Sequence, residues 1–494
     1  MTADVCLLLE GTYPYVAGGV SSWVHDLIGA HPELRFAAVT MMPDRRQREH
    51  RYQVPENLVS LSTISLQRVR RGAGSVFGQG RLVAALEPLV ARLLAGGGLA
   101  EIAEMQRLLA PKRRRLGRSV LMESPAAWES LARMYEATMA DSSFLDYFWS
   151  WRSLVGGLYA VMLEDLPPAR VYHAVSTGYA GLLAARARIE TLRPVILTEH
   201  GIYTNERRIE IAMADWLHQR SGRASLGIEK PRRDLKDMWI DTFVSYSRAT
   251  YQACDEIITL YGGNQEMQRR DGAPAAKLKV IPNGIDYARF SRIVRVPQER
   301  PTIALIGRVV PIKDVKTFIR ACGLLRERVP DLLAEVMGPT EEDQEYFAEC
   351  QGLVAHLGLQ ETVRFVGRVK LDDHLGRLKA IVLTSISEAQ PLVILEAGSV
   401  GVPSVVTDVG ACREMIEGRD DDFGPAGAVT PVSNPAATAE ALARLLTDDG
   451  WWRRCSEAIV RRVERSYNKV VIDRIYGSLY AGLIARPDSP PPLA

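Results

Sequence analysis

The second half of the chain alternates short apolar runs with longer amphipathic stretches. The apolar runs are TIALIG, LLAEVMG, TVRFVG, AIVLTSIS, PSVVTDVG and AGAVTP, and the stretches between them have helical periodicity. Strands this apolar, separated by helices, are typical of a parallel sheet that is covered on both faces. The pattern therefore predicts a doubly wound α/β domain in this half.

The first half begins in the same way. DVCLLLEG (4–11) is an apolar strand, TYPYVAGGVSS is a loop with two adjacent glycines, and WVHDLIGAHP is a helix, which is how a doubly wound unit starts. From about Arg68 to Leu163 the pattern becomes a series of amphipathic helices, which predicts a helical insertion. Further strands are predicted in RFAAVTMMP, NLVSLSTISL, ARVYHAVS, PVILTEHG, ACDEIITLY and LKVIPNGI.

Turn residues in IPNGIDYARF (281–290) separate the two patterns. We therefore predict an α/β fold of two Rossmann-like domains with an interdomain cleft. The first domain covers residues 1–285 and the second covers 286–465. Residues 466–494 are expected to form a helix that packs back on the first domain, followed by a frayed proline-rich tail.

Two glutamates stand out in TSISEAQPLVILEAGSV (384–400). Glu388 follows a predicted strand, and Glu396 lies in the second turn of a helix that is predicted to begin at Pro391, since proline suits the first helical position. Carboxylates beside a helix N-terminus, where unpaired N–H groups attract phosphate, indicate a site for a phosphorylated, polyhydroxylated ligand. The alternative is a capping glutamate and an unrelated surface glutamate.

A basic turn follows the first strand of the second domain. Arg308 and Lys313 flank this turn, and Gly307 allows close approach of the backbone to a ligand. A guanidinium fork and an ammonium group together suit a diphosphate, although basic loop residues are usually only solvated.

Composition narrows the possible functions. The chain has 494 residues, a net charge of +2 and no marked basic excess, which argues against a nucleic-acid partner. Its six scattered cysteines suggest buried thiols in a cytoplasmic protein, and no apolar stretch reaches the roughly 20 residues of a spanning helix. The basic run PKRRR (111–115) is either a solvated face or a docking surface for a membrane partner, and RDDD (419–422) is predicted to be surface and not a metal site.

The G-R-x4-K turn, a V-G loop, the E-x7-E segment and the PNGID linker, in chain order, resemble family 4 of the retaining glycosyltransferases, which have the GT-B fold. EGTYPYVAGGVSSWVHDLI and TEHGIYTNERRIEI are similar to segments of the cytosolic glycosyltransferases of Pel exopolysaccharide biosynthesis. One departure lies at 389–391, where Ala-Gln-Pro stands in place of the Gly-Phe-Gly of many family members.

The resemblance implies a role for each motif. Arg308 and Lys313 would hold the donor diphosphate, Glu396 the ribose and Glu388 the donor sugar, while His200 would reach the sugar near its reacting carbon. The implied catalytic set is His200, Glu388, Arg308 and Lys313. The implied donor-binding set is Gly18, Gly19, Gly307, Arg308, Lys313, Gly367, Arg368, Glu388, Ala389, Gln390, Pro391, Leu392, Val393 and Glu396.

Several aromatic residues near the predicted strand ends have two interpretations. Tyr13, Tyr15 and His173 are either acceptor-side residues or packing residues, and His25 is expected to pack. His200, flanked by Glu199 and Gly201, could alternatively be a satisfied loop histidine.

The resemblance thus implies a retaining glycosyltransferase, and the lack of an acidic metal motif in the sequence predicts that it is metal-independent and has no cofactor. It would use a UDP-sugar, a UDP-hexose or UDP-N-acetylhexosamine, to extend an exopolysaccharide such as Pel, in association with inner-membrane synthase components at the cytoplasmic face. Alternatives are a glycosyl phosphorylase or a glycogen- or sucrose-synthase-like enzyme on the same fold, and a non-catalytic scaffold subunit. A sugar-nucleotide epimerase is disfavoured, because the first strand runs into TYPYVAGGV and not into a G-x-x-G-x-x-G loop, and no Y-x-x-x-K pair stands in a matching context.

Overall fold

The computed structural model describes residues 2–44, 46, 48–212, 233–296 and 298–486. The proline-rich tail that was expected to fray lies outside the described residues from position 487 onward. The chain divides into two compact units. Unit 1 comprises Met1–Thr259, Asn264–Val280 and Tyr476–Ala494, and unit 2 comprises Leu260–Gly263 and Ile281–Ile475.

In the described part of unit 1, seven parallel strands form one sheet in the order β3-β2-β1-β4-β5-β6-β7. This order reverses direction between β1 and β4, as in a Rossmann sheet. The strands are β1 (Ala3–Glu10), β2 (Phe36–Met42), β3 (Leu58–Ser65), β4 (Ala169–Ala174), β5 (Val195–Glu199), β6 (Glu256–Thr259) and β7 (Leu278–Val280).

The predicted helical insertion is present between β3 and β4, where every residue is described. It contains five α-helices and a 3₁₀ turn at Ala110–Arg115, and its apolar faces join the sheet in one core cluster. The described residues up to position 270 form the helices α1 (Gly19–Ala30), α2 (Gln79–Leu93), α3 (Leu99–Leu109), α4 (Arg118–Leu121), α5 (Pro125–Thr138), α6 (Phe144–Leu163), α7 (Tyr179–Thr191), α8 (Tyr203–Ala212), α9 (Leu235–Ala253) and α10 (Gly262–Arg270).

The described residues of unit 2 contain a six-stranded parallel sheet in the order β10-β9-β8-β11-β12-β13. Its strands are β8 (Thr302–Ile306), β9 (Leu333–Met337), β10 (Val363–Gly367), β11 (Ala380–Leu383), β12 (Ser404–Thr407) and β13 (Gly427–Thr430). Its helices are α11 (Tyr287–Phe290), α12 (Val315–Leu325), α13 (Gln344–His356), α14 (Leu392–Ser399), α15 (Cys412–Glu417), α16 (Pro435–Thr447), α17 (Asp449–Ser466) and α18 (Lys469–Ile484), the last of which ends in unit 1.

Neighbouring residues of β8 face opposite sides of this sheet. Ile303 and Leu305 belong to one core cluster and Ala304 to another, so helices cover both faces. The predicted fold class, two parallel-sheet Rossmann-like domains, is confirmed. In each sheet the strand order reverses beside the first strand, and the carboxyl ends of the strands at that point are where such folds bind ligands.

All six cysteines are free and buried, as the sequence predicted. Among the described helices, none combines the length and the hydrophobicity that crossing a bilayer requires.

Candidate functional site

The switch point of the unit 2 sheet lies between β8 and β11, and the loops that follow these strands hold the central pair of the candidate site. Lys313 ends a 3₁₀ turn after β8, and Glu388 lies in the loop between β11 and α14. The Lys313 ammonium forms an ion pair with Glu388 Oε1, which also accepts a 2.7 Å hydrogen bond from Ser385 Oγ. Their side chains are 20% and 13% exposed, so the pair is half-buried.

Hydrogen bonds fix the two loops against each other. Thr384 Oγ1 donates to the carbonyl oxygens of Lys313 and Asp314 at 3.1 and 2.9 Å. The amide of Ile386 donates to the carbonyl of Ile312 at 2.8 Å. The position of Lys313 beside Glu388 is therefore set by the backbone, which makes the pair a preformed element of the site.

A glycine turn after β12 supports the same loop. Gly410 has φ +54°, and a Cβ at this position would overlap the carbonyl oxygens of Glu388 and Ala389. The next residue, Ala411, donates its amide hydrogen to the Ala389 carbonyl at 2.8 Å. Only glycine meets both the positive φ and the close approach, so this position holds the loop in place.

Arg308 is exposed, and among the described residues its ion-pair partner differs from that of Lys313. Its guanidinium donates to Glu342 Oε2 at 2.8 Å, and Arg368 lies 3.9 Å from Glu341. Exposed ion pairs of this kind are worth about 0–1 kcal/mol, so an anionic ligand can displace the carboxylates at little cost. Neither acidic partner was predicted from the sequence, although the acidic run that follows β9 was the available signal.

The two predicted glutamates have different surroundings. Glu396 is half-buried in α14, and burial raises the pKa of its carboxyl, an effect that Arg289 opposes and Asp372 reinforces. Arg289 and Asp372 form a bidentate ion pair at 3.0 and 2.7 Å. The structure thus brings Glu388 to Lys313 and Glu396 to the charges of Arg289 and Asp372.

The start of α14 differs from the prediction. Pro391 is not the first helical residue but the N-cap, because its ψ of 107° is extended, and the helix begins at Leu392. The Gln390 side chain pairs with the backbone of Asn283, accepting from its amide at 2.8 Å and donating to its carbonyl at 3.1 Å. Gln390 can therefore offer a ligand its backbone only, whereas Ala389 and Leu392 are exposed.

The glycines after β8 and at the end of β10 leave room for a ligand. A Cβ at Gly307 would meet only the Lys313 side chain, at 3.6 Å and beyond. Gly367 has φ +77° and open space where a Cβ would stand. Val393 is half-buried in the first turn of α14.

In unit 1, His200 follows β5. Its Nε2 is buried and has no hydrogen-bond partner among the described residues, and its ring meets Trp23 edge-on, with 4.7 Å between ring centroids. Burial lowers the pKa of His200 to about 4. The imidazole is therefore neutral near pH 7, and its Nε2 has no hydrogen bond to a described residue.

His173 is not placed as an acceptor residue. It is fully buried, with Nδ1 2.7 Å from Tyr480 Oη and Nε2 2.9 Å from Thr198 Oγ1, so neither nitrogen is left for a ligand. Burial, with a smaller contribution from His200, lowers the pKa of His173 to about 3. His173 is a core residue, which corrects the acceptor-side interpretation.

The two tyrosines of the first loop, Tyr13 and Tyr15, differ in how deeply they are buried. Tyr13 is fully buried, its hydroxyl is 3.4 Å from His25 Nδ1, and burial together with Tyr52 raises its pKa to about 12. This fits the packing interpretation and not a direct acceptor contact. Tyr15 is half-buried, with its hydroxyl 3.1 Å from Thr63 Oγ1.

The glycines of that loop are exposed at the N-terminus of α1. Gly18 is the N-cap, and Gly19 is the first helical residue. The Gly18 amide donates to Tyr52 Oη at 3.4 Å. Tyr52, which also contacts Ser22 Oγ at 3.1 Å, was missed by the sequence analysis.

Glu199, beside His200, was named only as a neighbour of that histidine. It is fully buried and accepts hydrogen bonds from Gln268 Nε2 and Tyr251 Oη, each at 2.8 Å, and from Thr177 Oγ1 at 3.3 Å. Burial raises the pKa of Glu199 to about 7, against the effect of these donors. An acidic residue at the end of an apolar strand was the signal that could have identified it.

Among the described residues, no group of three or more His, Cys, Asp or Glu side chains has an arrangement that could hold a metal ion. Metal independence of the activity remains a prediction.

Two protein-family models match the chain, one in each half. Residues 3–276 match the model described as a domain of unknown function, DUF3492. The chain belongs to the DUF3492 family. Residues 286–462 match the model of glycosyl transferases group 1, and this range includes Arg308, Lys313, Glu388 and Glu396.

Curated relatives of this DUF3492 family member cover only part of it. It is 29% identical over 231 residues to a D-inositol 3-phosphate glycosyltransferase of Kribbella flavida, which covers 44% of the chain and 51% of the relative. It is 27% identical over 243 residues to the exopolysaccharide phosphotransferase SCO2592 of Streptomyces coelicolor, which covers 48% of the chain and 24% of that protein. The chain spans about half the length of the first of these relatives, and less of the second.

Solved structures match over nearly the whole chain. Sucrose-phosphate synthase from Thermosynechococcus elongatus has a TM-score of 0.57 and 16% identity, covering 98% of this chain and 99% of that one. Anabaena Alr3699/HepE in complex with UDP has a TM-score of 0.57 and 12% identity, covering 97% and 100%. At such identities the likeness establishes the fold, which is that of the GT-B glycosyltransferases.

Proposed function

We propose that this DUF3492 family member is a retaining glycosyltransferase that transfers a sugar from a UDP-sugar to an exopolysaccharide acceptor. The observation that carries the proposal is the Lys313–Glu388 pair. It lies at the switch point of the unit 2 sheet, inside the residues that match glycosyl transferases group 1.

Lys313 and Arg308 are assigned to the donor diphosphate. Lys313 is a compact cation with three N–H donors, of which Glu388 occupies one, and Arg308 can exchange its exposed carboxylate partner for a phosphate. As the nucleotide leaves, negative charge grows on the diphosphate. Cations already fixed beside it stabilise that charge more in the transition state than in the ground state.

Glu388 is assigned to the transferred sugar. Its Oε1 receives hydrogen bonds from Lys313 and Ser385, whereas no hydrogen bond from a described residue reaches Oε2. That second oxygen can accept from a sugar hydroxyl. A carboxylate oxygen is a stronger hydrogen-bond acceptor than a neutral group.

Glu396 is assigned to the ribose, whose two hydroxyls suit an ionised carboxylate. Backbone amides before and at the start of α14, including those of the exposed residues Ala389 and Leu392, are assigned to the sugar and phosphate. Gly367 and Arg368 are assigned to the nucleobase.

From unit 1 we assign His200 to a hydroxyl of the donor sugar, through its free Nε2, and Gly18 and Gly19 to the diphosphate. The reaction needs no covalent nucleophile under this proposal. The acceptor hydroxyl attacks the face that the leaving diphosphate occupies, and the diphosphate takes up the proton. We further propose that no metal ion takes part.

Several comparisons support the choice of donor and acceptor. Anabaena HepE, which shares the fold, has been crystallised with UDP and with UDP-glucose. The relative from Streptomyces coelicolor is named as an exopolysaccharide enzyme. The similarity of the first loop and of the segment after β5 to the PelF glycosyltransferases favours a Pel-type polymer, with synthase components of the inner membrane as partners.

The test is turnover of a panel of UDP-, GDP- and ADP-sugars by the purified full chain, with and without a chelator. We expect hydrolysis or transfer with a UDP-hexose or UDP-N-acetylhexosamine, with the anomeric configuration of the donor kept and no loss in excess EDTA. Turnover of GDP- or ADP-sugars alone would contradict the donor assignment. Loss of activity that magnesium restores would contradict metal independence.

A further inference from the structure

The basic run at 111–115 does not stand alone in the folded chain. Backbone hydrogen bonds tie it to a second basic segment, because the amide of Arg118 donates to the Arg70 carbonyl at 2.8 Å and that of Ala73 donates to the Arg115 carbonyl at 2.8 Å. Two segments that lie more than forty positions apart in sequence therefore form one surface of the helical insertion. We call Arg68, Arg71, Arg114, Arg115 and Arg118 the basic face.

The charges of this face are largely uncompensated. All five arginines are exposed, and within the described residues only Arg118 forms an ion pair, with Glu123 at 3.7 Å. Asp165 lines a surface pocket with Arg114 and Arg115, and a second pocket with Arg68, but it forms no ion pair with any of them. Other basic residues of the same segments are used internally. The Arg70 guanidinium donates to the Leu116 carbonyl at 3.1 Å, and Arg113 pairs with Glu190 at 2.8 Å. Arg70 and Arg113 thus hold the fold together, whereas the other four exposed arginines, Arg68, Arg71, Arg114 and Arg115, have no ion pair in the part of the chain that the structure describes.

Large apolar side chains stand beside these cations. Phe77 is 95% exposed, and its carbonyl accepts a 2.8 Å hydrogen bond from Lys112 Nζ of the basic run. Trp149 is 58% exposed and lines, with Arg68 and Arg118, a cavity of about 260 Å³. Leu145 is also exposed, and it lies one helical turn before Trp149 on the same side of α6.

We propose that the basic face, with Phe77 and Trp149, binds the surface of an anionic phospholipid bilayer. Clusters of unpaired arginines are attracted to anionic headgroups, and phenylalanine and tryptophan rings sit at the boundary between headgroups and acyl chains. The net charge of the whole chain is only +2, so the attraction arises from this face and not from the protein as a whole.

A bilayer fits these observations better than an acidic protein partner. Protein interfaces bury their apolar anchors in a closely packed, shape-complementary centre. Phe77, by contrast, is almost completely exposed and lies next to a run of cations, an arrangement that a fluid anionic surface can accept without complementary shape. The proposal does not depend on the proposed enzymatic activity, since it uses none of the donor-site residues.

The test is co-sedimentation of the full-length chain with two kinds of vesicle, phosphatidylcholine alone and phosphatidylcholine mixed with phosphatidylglycerol. We expect binding to the anionic vesicles only. Binding should weaken strongly between about 0.1 and about 1 M salt, because the screening length falls from roughly 10 to roughly 3 Å.

Two variants locate the binding surface. Each basic residue near an anionic membrane contributes roughly fivefold to partitioning, so Arg114→Glu/Arg115→Glu should lower the partition coefficient by at least ~25-fold. Phe77→Ser, which leaves the charge unchanged, should lower it on the order of tenfold. The matched control is Arg320→Glu/Arg364→Glu, which reverses two exposed unit 2 arginines that have no ion pair among the described residues. This control should bind as the unsubstituted chain does.

Equal loss of binding in the two double variants would overturn the proposal, because it would show a response to net charge alone. Equal binding to neutral and anionic vesicles would overturn it as well. Failure of the unsubstituted chain to bind anionic vesicles would overturn the proposal too, and an acidic protein would then be the favoured partner of the basic face. Thermal melting of each variant confirms that it folds.

Discussion

Replacing Glu388 with Gln removes the carboxylate charge, and its effects on turnover and on the free energy of unfolding can be measured separately. The amide oxygen can still accept the 2.7 Å hydrogen bond from Ser385, so the substitution removes mainly the charge opposite Lys313. Exposed ion pairs are worth about 0–1 kcal/mol, whereas breaking a fully buried pair costs about 3–5 kcal/mol. With side chains 20% and 13% exposed, this pair lies between those limits, and we expect a loss of about 1.5–3 kcal/mol in the free energy of unfolding.

The same substitution should affect the two halves of the donor differently. Free UDP binding should be retained or slightly tightened, because Lys313 no longer shares its charge with a carboxylate. Turnover should fall by roughly 10- to 150-fold, the effect of losing one charge-assisted hydrogen bond to the reacting sugar. Calorimetry with UDP and steady-state kinetics with the UDP-sugar measure the two effects separately.

The matched control is Glu349→Gln, which removes one partner of the more exposed Lys316–Glu349 pair on the neighbouring helices. It should cost less than about 1 kcal/mol of stability and leave turnover unchanged. If Glu388→Gln instead abolishes UDP affinity at full turnover per bound donor, the carboxylate contacts the nucleotide and not the sugar. If Glu388→Gln alters neither UDP affinity nor turnover, the Lys313–Glu388 pair is purely structural.

Three further predictions concern single residues. Glu396→Gln should weaken binding of UDP and of the UDP-sugar to the same extent, since both contain the ribose, and calorimetry that shows loss with only one of them would contradict this role. Gly410→Ala should lower turnover and destabilise the fold by about 1–3 kcal/mol in urea titrations, because its Cβ would overlap the carbonyl of Glu388. The folded-state pKa of His173, about 3, lies below the unfolded value of about 6.5, so the unfolded state binds the extra proton between these pH values and stability is lost as the pH falls through that window. Between pH 6.5 and pH 4, the free energy of unfolding of His173→Gln should therefore fall by about 3 kcal/mol less than that of the unsubstituted protein. Parallel profiles of unfolding free energy against pH for the two proteins would refute the burial of a neutral imidazole.

Much of the fold could be read from apolar runs, because a strand that is buried on both faces has few alternatives to a parallel sheet. All six runs singled out in the second half became strands of the unit 2 sheet. Where the run AIVLTSIS was expected to extend the strand to Ser387, β11 ends at Leu383. The polar residues that follow turn away to bond the Lys313 loop, which is a tertiary effect that no local pattern records.

The individual residues of the candidate site were predictable from the sequence, but the contacts between them were not. Lys313 and Glu388 stand 75 positions apart, and their contact follows from the strand order of the sheet. His173 and His200 both occur at the ends of apolar strands. Nδ1 of His173 is hydrogen-bonded to Tyr480, which is 307 positions away, whereas Nε2 of His200 has no partner among the described residues. Contacts between residues so distant in sequence are set by folding and cannot be recovered from spacing alone.

The turn after β8 is proposed to bind a nucleoside diphosphate, and calorimetric titration of the full chain with UDP measures this binding. Replacement of Arg308 or Lys313 with Ala should weaken UDP binding by roughly 10- to 150-fold. Arg320→Ala, an exposed arginine on the helix that follows the turn, should bind UDP as the unsubstituted chain does. Circular dichroism must first show that the variants fold, since Lys313→Ala leaves Glu388 without its cation. Absence of UDP binding in the unsubstituted chain, or unchanged affinity in both Arg308→Ala and Lys313→Ala, would contradict the claim.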